Sequence, residues 1–251
     1  AAQAVRAGGT GAALGLVEAV AVAYAASPGG QTIRVLPSLG SSGGLRALDA
    51  KAIDLALIAR RLTPAETQAG LREAACLRTP YALVTSHHAP PPSLSQDDIL
   101  RFYRDAAPAW PDGAKVKIIL RPESEYANQL LAVMAPGIDP VLARARQRSE
   151  VPKATTDQDN ADLAERTVGS LASMGLAQLK SERRALRALA IDGIAPSVEA
   201  LDAGTYKAAL DLCVVVEAAR ADAATGFVAF LRSEPGQAIV RRNDAFLLDA
   251  P

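Results

Sequence analysis

The chain has 251 residues, almost half of them apolar and few of them aromatic. That composition builds a folded core, in one large domain or two lobes, and argues against a long disordered tract. Its 27 basic side chains equal its 27 acidic ones, which argues against the basic stripe of a nucleic-acid binder but not against holding a small anion with backbone N–H groups and one or two arginines.

No apolar run nears the roughly 20 residues that span a bilayer. The start at Ala1-Ala2-Gln3 shows no basic and apolar leader, as expected of a cytosolic protein or of an exported one whose signal peptide has been removed. Cys76 and Cys213 stand far apart without CxxC spacing, which argues against zinc; free buried thiols are the favoured reading and one disulfide the alternative.

In chain order, Gly8-Gly9-Thr10-Gly11 comes with no strand before it and opens a helix with Leu14, Val17, Ala21 and Tyr24 at helical spacing. Ser27-Pro28-Gly29-Gly30 ends that helix, and 32–36 reads as a strand. Gly40-Ser41-Ser42-Gly43-Gly44 opens a short helix through Leu45 and Leu48, and 54–59 is a second buried strand. Strands alternating with helices predict a parallel sheet. Further on, 78–85 reads as a strand, 95–102 as a helix with Asp97 and Asp98 in its first turn, and 116–120 as a strand running into Arg121. A helix is expected near Asn160, a strand over 212–216, and one helix over 227–240. Trp110 falls in a loop, as a packing residue.

Two loops share one design: small residues lead into a helix whose first turn presents unpaired N–H groups and a positive dipole end. Glycine lets a ligand approach the backbone, and Ser or Thr adds hydroxyl donors without bulk. Gly9-Thr10-Gly11 and Ser41-Ser42-Gly43 both fit, although such residues also make plain turns and N-caps. Arg121, with Ser124 three residues on, and Arg60, after the second buried strand, are the charged candidates; arginine matches oxyanions with a fork of donors. All four elements are expected at one edge of the sheet, beyond the carboxyl ends of its strands, where open α/β sheets bind ligands.

These residues, in order, carry a family resemblance. Gly9-Thr10 leads a helix; Gly40-Ser41-Ser42-Gly43-Gly44 is followed by Ile53-Asp54-Leu55-Ala56 and Leu62-Thr63-Pro64-Ala65-Glu66. Later pieces are Val168-Gly169-Ser170, Ile191-Asp192-Gly193-Ile194-Ala195-Pro196-Ser197, Gly204-Thr205-Tyr206, and Phe227 to Leu231 with Gly236-Gln237. Over nearly its whole length the chain resembles the substrate-binding proteins of phosphate ABC transporters. The resemblance implies a two-lobed, type II periplasmic-binding-protein-like α/β fold, each lobe a mostly parallel sheet flanked by helices. One lobe is then 1–76 plus 217–251 and the other 77–216, with the anion in the cleft between them and hinge closure on binding. It further implies ligand donors from Thr10, Ser41 and Ser42 in the first lobe and from Arg121 and Ser124 in the second; Gly9, Gly11, Gly43 and Arg60, read from the loops themselves, complete the candidate ligand set. The implied setting is a periplasmic or extracytoplasmic monomer that delivers its anion to a membrane permease, with no cofactor, no metal and no nucleic acid.

Two positions depart from the family pattern. An acidic residue usually follows the second strand and accepts a proton from phosphate; here Arg60 stands there, either as a ligand or paired with Glu123 or Glu125. In the second loop Glu125 would repel an anion unless it faces solvent or the ligand carries a cation. Thr155 to Asn160 reads as a helix N-cap, with Thr156 or Gln158 as alternative ligand contacts. The adjacent His87 and His88 read as surface or hinge residues, and no nucleophile elbow, Walker loop or dinucleotide fingerprint is present. An oxyanion receptor is therefore expected. The alternatives are the same fold with an altered site, as a sensor or scaffold or for sulfate, phosphonate or molybdate, and a phosphate-ester hydrolase.

Overall fold

The computed structural model describes residues 4–249. Those residues fall into two compact units: 4–79, Lys180–Glu182 and 210–249 form the first, Pro80–Leu179 and Arg183–Ala209 the second. The boundaries expected from sequence were 76/77 and 216/217.

In chain order the first unit contributes β1 (Val5–Gly9), α1 (Gly11–Ala25), β2 (Ile33–Val35), α2 (Gly40–Asp49), β3 (Leu55–Ile58), α3 (Pro64–Gln68) and β4 (Leu71–Thr85), whose last residues enter the second unit. That unit holds β5 (Ser93–Leu94), α4 (Gln96–Arg104), β6 (Lys117–Ile118), α5 (Ala127–Met134), α6 (Ile138–Ala145) and α7 (Asp157–Arg166). It continues through β7 (Ser170–Gly175), α8 (Leu176–Ser181), β8 (Arg187–Ala188), β9 (Ala190–Ile191) and α9 (Val198–Asp202). The chain returns to the first unit in β10 (Ala209–Glu217), α10 (Asp222–Arg232), α11 (Glu234–Arg242) and β11 (Phe246–Leu247).

In the first unit β1 lies between β2 and β3, parallel to both. β10 joins antiparallel to β3, β4 follows β10, and β11 adds antiparallel to β4. In the second unit β7 pairs antiparallel with the far half of β4 and parallel with β6, while β5 and β9 form a separate parallel pair. The switch of partners along β4 coincides with Pro80. Lacking an N–H, proline cannot hold a central ladder position; the β11 partners end at Arg78 and the β7 partners begin at Tyr81.

The strand ahead of Gly8-Gly9 corrects the sequence reading, which placed none there. Its residues Ala7, Gly8 and Gly9 are too small to signal a strand, yet β1 is central and crowded. A Cβ on Gly9, at φ +148°, would sit 2.0 Å from the Leu57 carbonyl oxygen; one on Gly44 would meet the Gly9 Cα at 2.8 Å. Only glycine lets α2 lie this close to β1. β4 is also longer than expected, and the single helix expected over 227–240 is two. Ser233 ends α10 and caps α11, its hydroxyl accepting from the Gly236 N–H, and Pro235 cannot continue the preceding helix.

Cys76 and Cys213 are disulfide-bonded, not free thiols. The bond joins the neighbouring strands β4 and β10 inside a buried cluster with Leu48, Ile53, Ala56, Ile58 and Val215. Closing 137 residues of chain, it is worth up to about 5 kcal/mol in the chain-entropy account. Beside it Arg78 donates to Asp211 through Nε (2.6 Å) and Nη2 (2.9 Å). In the second unit Ala82, Val84, Ile119, Ala172, Met174 and Leu176 share one core cluster. His87 is buried there rather than at the surface, stacked on Trp110 with ring centroids 5.1 Å apart, and His88 is exposed. Successive residues of an extended chain face opposite sides, so burying one exposes the other.

Candidate functional site

Three strand-ending loops of the first unit are tied to one another. Thr10, the extended and buried residue ahead of α1, donates its N–H to the Leu57 carbonyl of β3 at 2.8 Å. Leu39, ahead of α2, donates to the Gly9 carbonyl at 2.9 Å. The Ala59 N–H, just after β3, donates to Ser41 Oγ at 3.0 Å. A hydroxyl that accepts still has its own proton to give. The N-terminal turns of α1 and α2 are thereby held at one edge of the β2-β1-β3 sheet, with Gly9, Thr10, Gly11, Ser41, Ser42 and Gly43 among them. No formal charge is added by any of these residues. Ser42 is exposed, while Ser41 and Gly43 are half-buried.

Arg60 stands next to this edge, with its guanidinium engaged. Nη1 and Nη2 donate to the two oxygens of Glu66 at 2.8 and 2.7 Å, and Nη1 also to the Arg61 carbonyl. The carboxylate partner is therefore Glu66, not Glu123 or Glu125. Glu66 closes a capping box with Thr63 at the start of α3, and the Arg60 bond holds its carboxyl down at about 2. Glu73 fixes the same loop, accepting from the Leu62 N–H at 2.6 Å and from Arg61 Nε at 2.9 Å. Glu73, Cys76 and Cys213 are the one metal-like grouping among the described residues, but both sulfurs are spent in the disulfide and no thiolate remains to ligate an ion.

In the second unit Arg121 is 5% exposed. Its Nη1 donates to the carbonyls of Ala154 (3.0 Å) and Thr156, its Nη2 to Asp157 Oδ1 at 3.0 Å, and Glu125 Oε2 lies 3.6 Å from Nη2. Burial pushes the Glu125 carboxyl up, against the pull of Arg121. One guanidinium thus stands with two carboxylates. Ser124 is exposed in the following turn; the loop is tied instead by Asn128, whose Nδ2 donates to the carbonyls of Pro122, Glu123 and Glu125. Thr156 caps α7 in a reciprocal box with Asp159.

Sequence reasoning missed Asn128, Asp157, Glu66 and Ala59. An Asn ahead of an apolar helix run, and a Thr-Pro-x-Glu box after Arg60, were the available signals for Asn128 and Glu66. Ala59 acts only through its backbone and carries none.

No curated protein matches the chain. Among solved structures it is similar to a phosphate ABC transporter substrate-binding protein of Clostridium perfringens with bound phosphate, at 18% identity over 98% of this chain and 100% of that one, TM-score 0.80. A phosphate-binding protein of Stenotrophomonas maltophilia is similar at 15% identity over 99% and 91%, TM-score 0.70. The molybdate-binding protein of Azotobacter vinelandii follows at 15% identity over 98% and 100%, TM-score 0.65. At these identities the likeness is one of fold. A family model described as a PBP superfamily domain matches residues 1–235, and the chain belongs to that superfamily.

Proposed function

We propose that the chain is an extracytoplasmic solute-binding protein without catalytic activity, which captures a small tetrahedral oxyanion, phosphate first, and passes it to the membrane permease of an ABC transporter. The observation that carries this reading is the bonded loop set of the first unit, where two helix N-terminal turns and the Ser41 hydroxyl are fixed together by Leu39–Gly9, Thr10–Leu57 and Ala59–Ser41 hydrogen bonds. Helix N-termini stabilise anions through the positive end of the dipole and the N–H groups of the first turn. Gly9, Thr10, Gly11, Ser41, Ser42 and Gly43 are the proposed ligand residues of that unit, and Arg121 and Ser124 those of the second. Arg60 is assigned a supporting role, holding the loop after β3 through Glu66. The Asp157 carboxylate beside Arg121 favours a ligand that brings its own proton, hence phosphate over sulfate.

Location outside the cytoplasm is supported by the Cys76–Cys213 disulfide, since such bonds persist in oxidising compartments. Among the described residues no helix is long and apolar enough to cross a membrane. The titrations of phosphate, sulfate, molybdate and a phosphonate by calorimetry test the reading: micromolar or tighter phosphate binding supports it, and no heat from any of the four overturns it.

A second reading, the same fold with an altered site serving as a sensor or scaffold, draws on Arg121. Its donors already serve Ala154, Thr156 and Asp157. That reading expects the four titrations to be silent while the protein stays folded.

A further inference from the structure

Strand β6 is the edge of the second unit's sheet, and covering segments take outward backbone groups on either side of Ile118 but not at it. In a parallel ladder, alternate residues turn their N–H and C=O to opposite sides. Lys117 and Ile119 donate to Gly169 and Leu171 of the β7 side at 2.9 Å, so Val116, Ile118 and Leu120 turn theirs outward. Val116 N–H is taken by the Pro108 carbonyl at 2.9 Å. Leu120 donates to the Pro152 carbonyl at 3.0 Å and accepts from Ala154 N–H at 2.9 Å. Ile118, between these two covering segments, has no such partner among the described residues. The gap opens on a cavity of about 430 Å³ with an apolar floor of Val116, Ile118 and Val151, bordered by Pro108 and Pro152.

Charge at this opening is one-sided. Lys115 and Lys117 line it, are exposed, and have no ion-pair partner among the described residues. Arg148 and Glu150 also line it but neutralise each other at 2.8 Å. Three cations and one carboxylate leave a net +2.

We propose that this opening docks the carboxyl terminus of an extended peptide ending in an apolar residue. The last residue donates its N–H to the Ile118 C=O and accepts from the Ile118 N–H with one carboxylate oxygen, as an added one-residue strand, while its apolar side chain enters the cavity and the other carboxylate oxygen faces Lys115 and Lys117. A chain end is specified because the covering segments at Pro108 and Pro152 block a strand running through, and a carboxyl end because the rim is cationic. The surface is independent of the oxyanion reading, which rests on other loops.

The test is a titration of the full ¹⁵N-labelled chain with acetyl-Ala-Leu-Leu as the free acid, beside the same peptide with a C-terminal amide and beside hexanoate. The free acid is expected to shift the Ile118 amide resonance and to bind about tenfold more tightly than the amide, a ratio expected of one lost ionic contact. Lys115→Ala with Lys117→Ala, both at exposed positions, is expected to bring the acid down to the level of the amide. Equal binding of acid and amide, an unshifted Ile118 resonance, or no binding by about 10 mM overturns the proposal. Hexanoate binding as tightly as the peptide also overturns it, because the amide would then have no part.

Discussion

The first unit and the second offer an anion opposite things. Around Thr10 and Ser41 the first unit gathers neutral donors, backbone N–H groups and hydroxyls, with the nearby guanidinium of Arg60 paired to Glu66. Around Arg121 the second unit buries a full positive charge but surrounds it with Asp157, Glu125 and two carbonyls. Fixed donors and formal charge sit in different places: the first unit's edge holds neutral groups in position by backbone hydrogen bonds, whereas the second's guanidinium also ties its own loops together.

That contrast can be broken most severely at Arg121. Arg121→Ala leaves two carboxylates without their cation and the carbonyls of Ala154 and Thr156 without a donor, and breaking a buried pair in this way costs about 3–5 kcal/mol; urea unfolding measures it, and a loss under about 1 kcal/mol would show the cluster is not structural. Next comes Ser41→Ala, expected to weaken phosphate binding about tenfold, the worth of one hydrogen bond to a charged group, with a smaller loss of stability from the unmatched Ala59 N–H.

Glu125→Gln is expected to act in the opposite direction, tightening phosphate binding about threefold at neutral pH. The sign follows from the raised carboxyl. A raised acid favours its neutral form, so its contribution to stability is present at low pH and lost as pH rises through its folded pKa, where a negative charge appears beside Arg121. Wild type should therefore lose affinity relative to Glu125→Gln as pH rises, and parallel pH profiles would contradict this. The smallest effect belongs to Arg60→Ala: a change of affinity within about twofold and under about 1 kcal/mol of stability, because the Arg60–Glu66 pair is partly exposed. A larger loss of affinity by calorimetry would return Arg60 to the ligand set.

Much of this was legible in the sequence. Helical spacing in α1, the Gly-Ser run opening α2 and the apolar strand before Arg60 placed the first-unit loops, because each signal is local. β1 was invisible because its glycines serve packing against Leu57 and α2, which is a tertiary demand. The disulfide was undecidable from spacing, since 137 residues separate its halves and only the pairing of β4 beside β10 brings them together. Arg121 stands out in the sequence as a candidate, but its partners do not: Asp157 lies 36 residues on and the carbonyls of Ala154 and Thr156 have no residue-type signature. Burial of His87 was likewise hidden, depending on the face that Trp110 covers.

The central claim is that the N-terminal turns of α1 and α2 hold the anion. Its most direct test is phosphate titration of the ¹⁵N-labelled protein, followed at the backbone amides of Gly11, Ser41, Ser42 and Gly43. These amides are expected to shift together and saturate with one affinity, the same affinity that calorimetry gives. Saturating phosphate that leaves all four unmoved would contradict it.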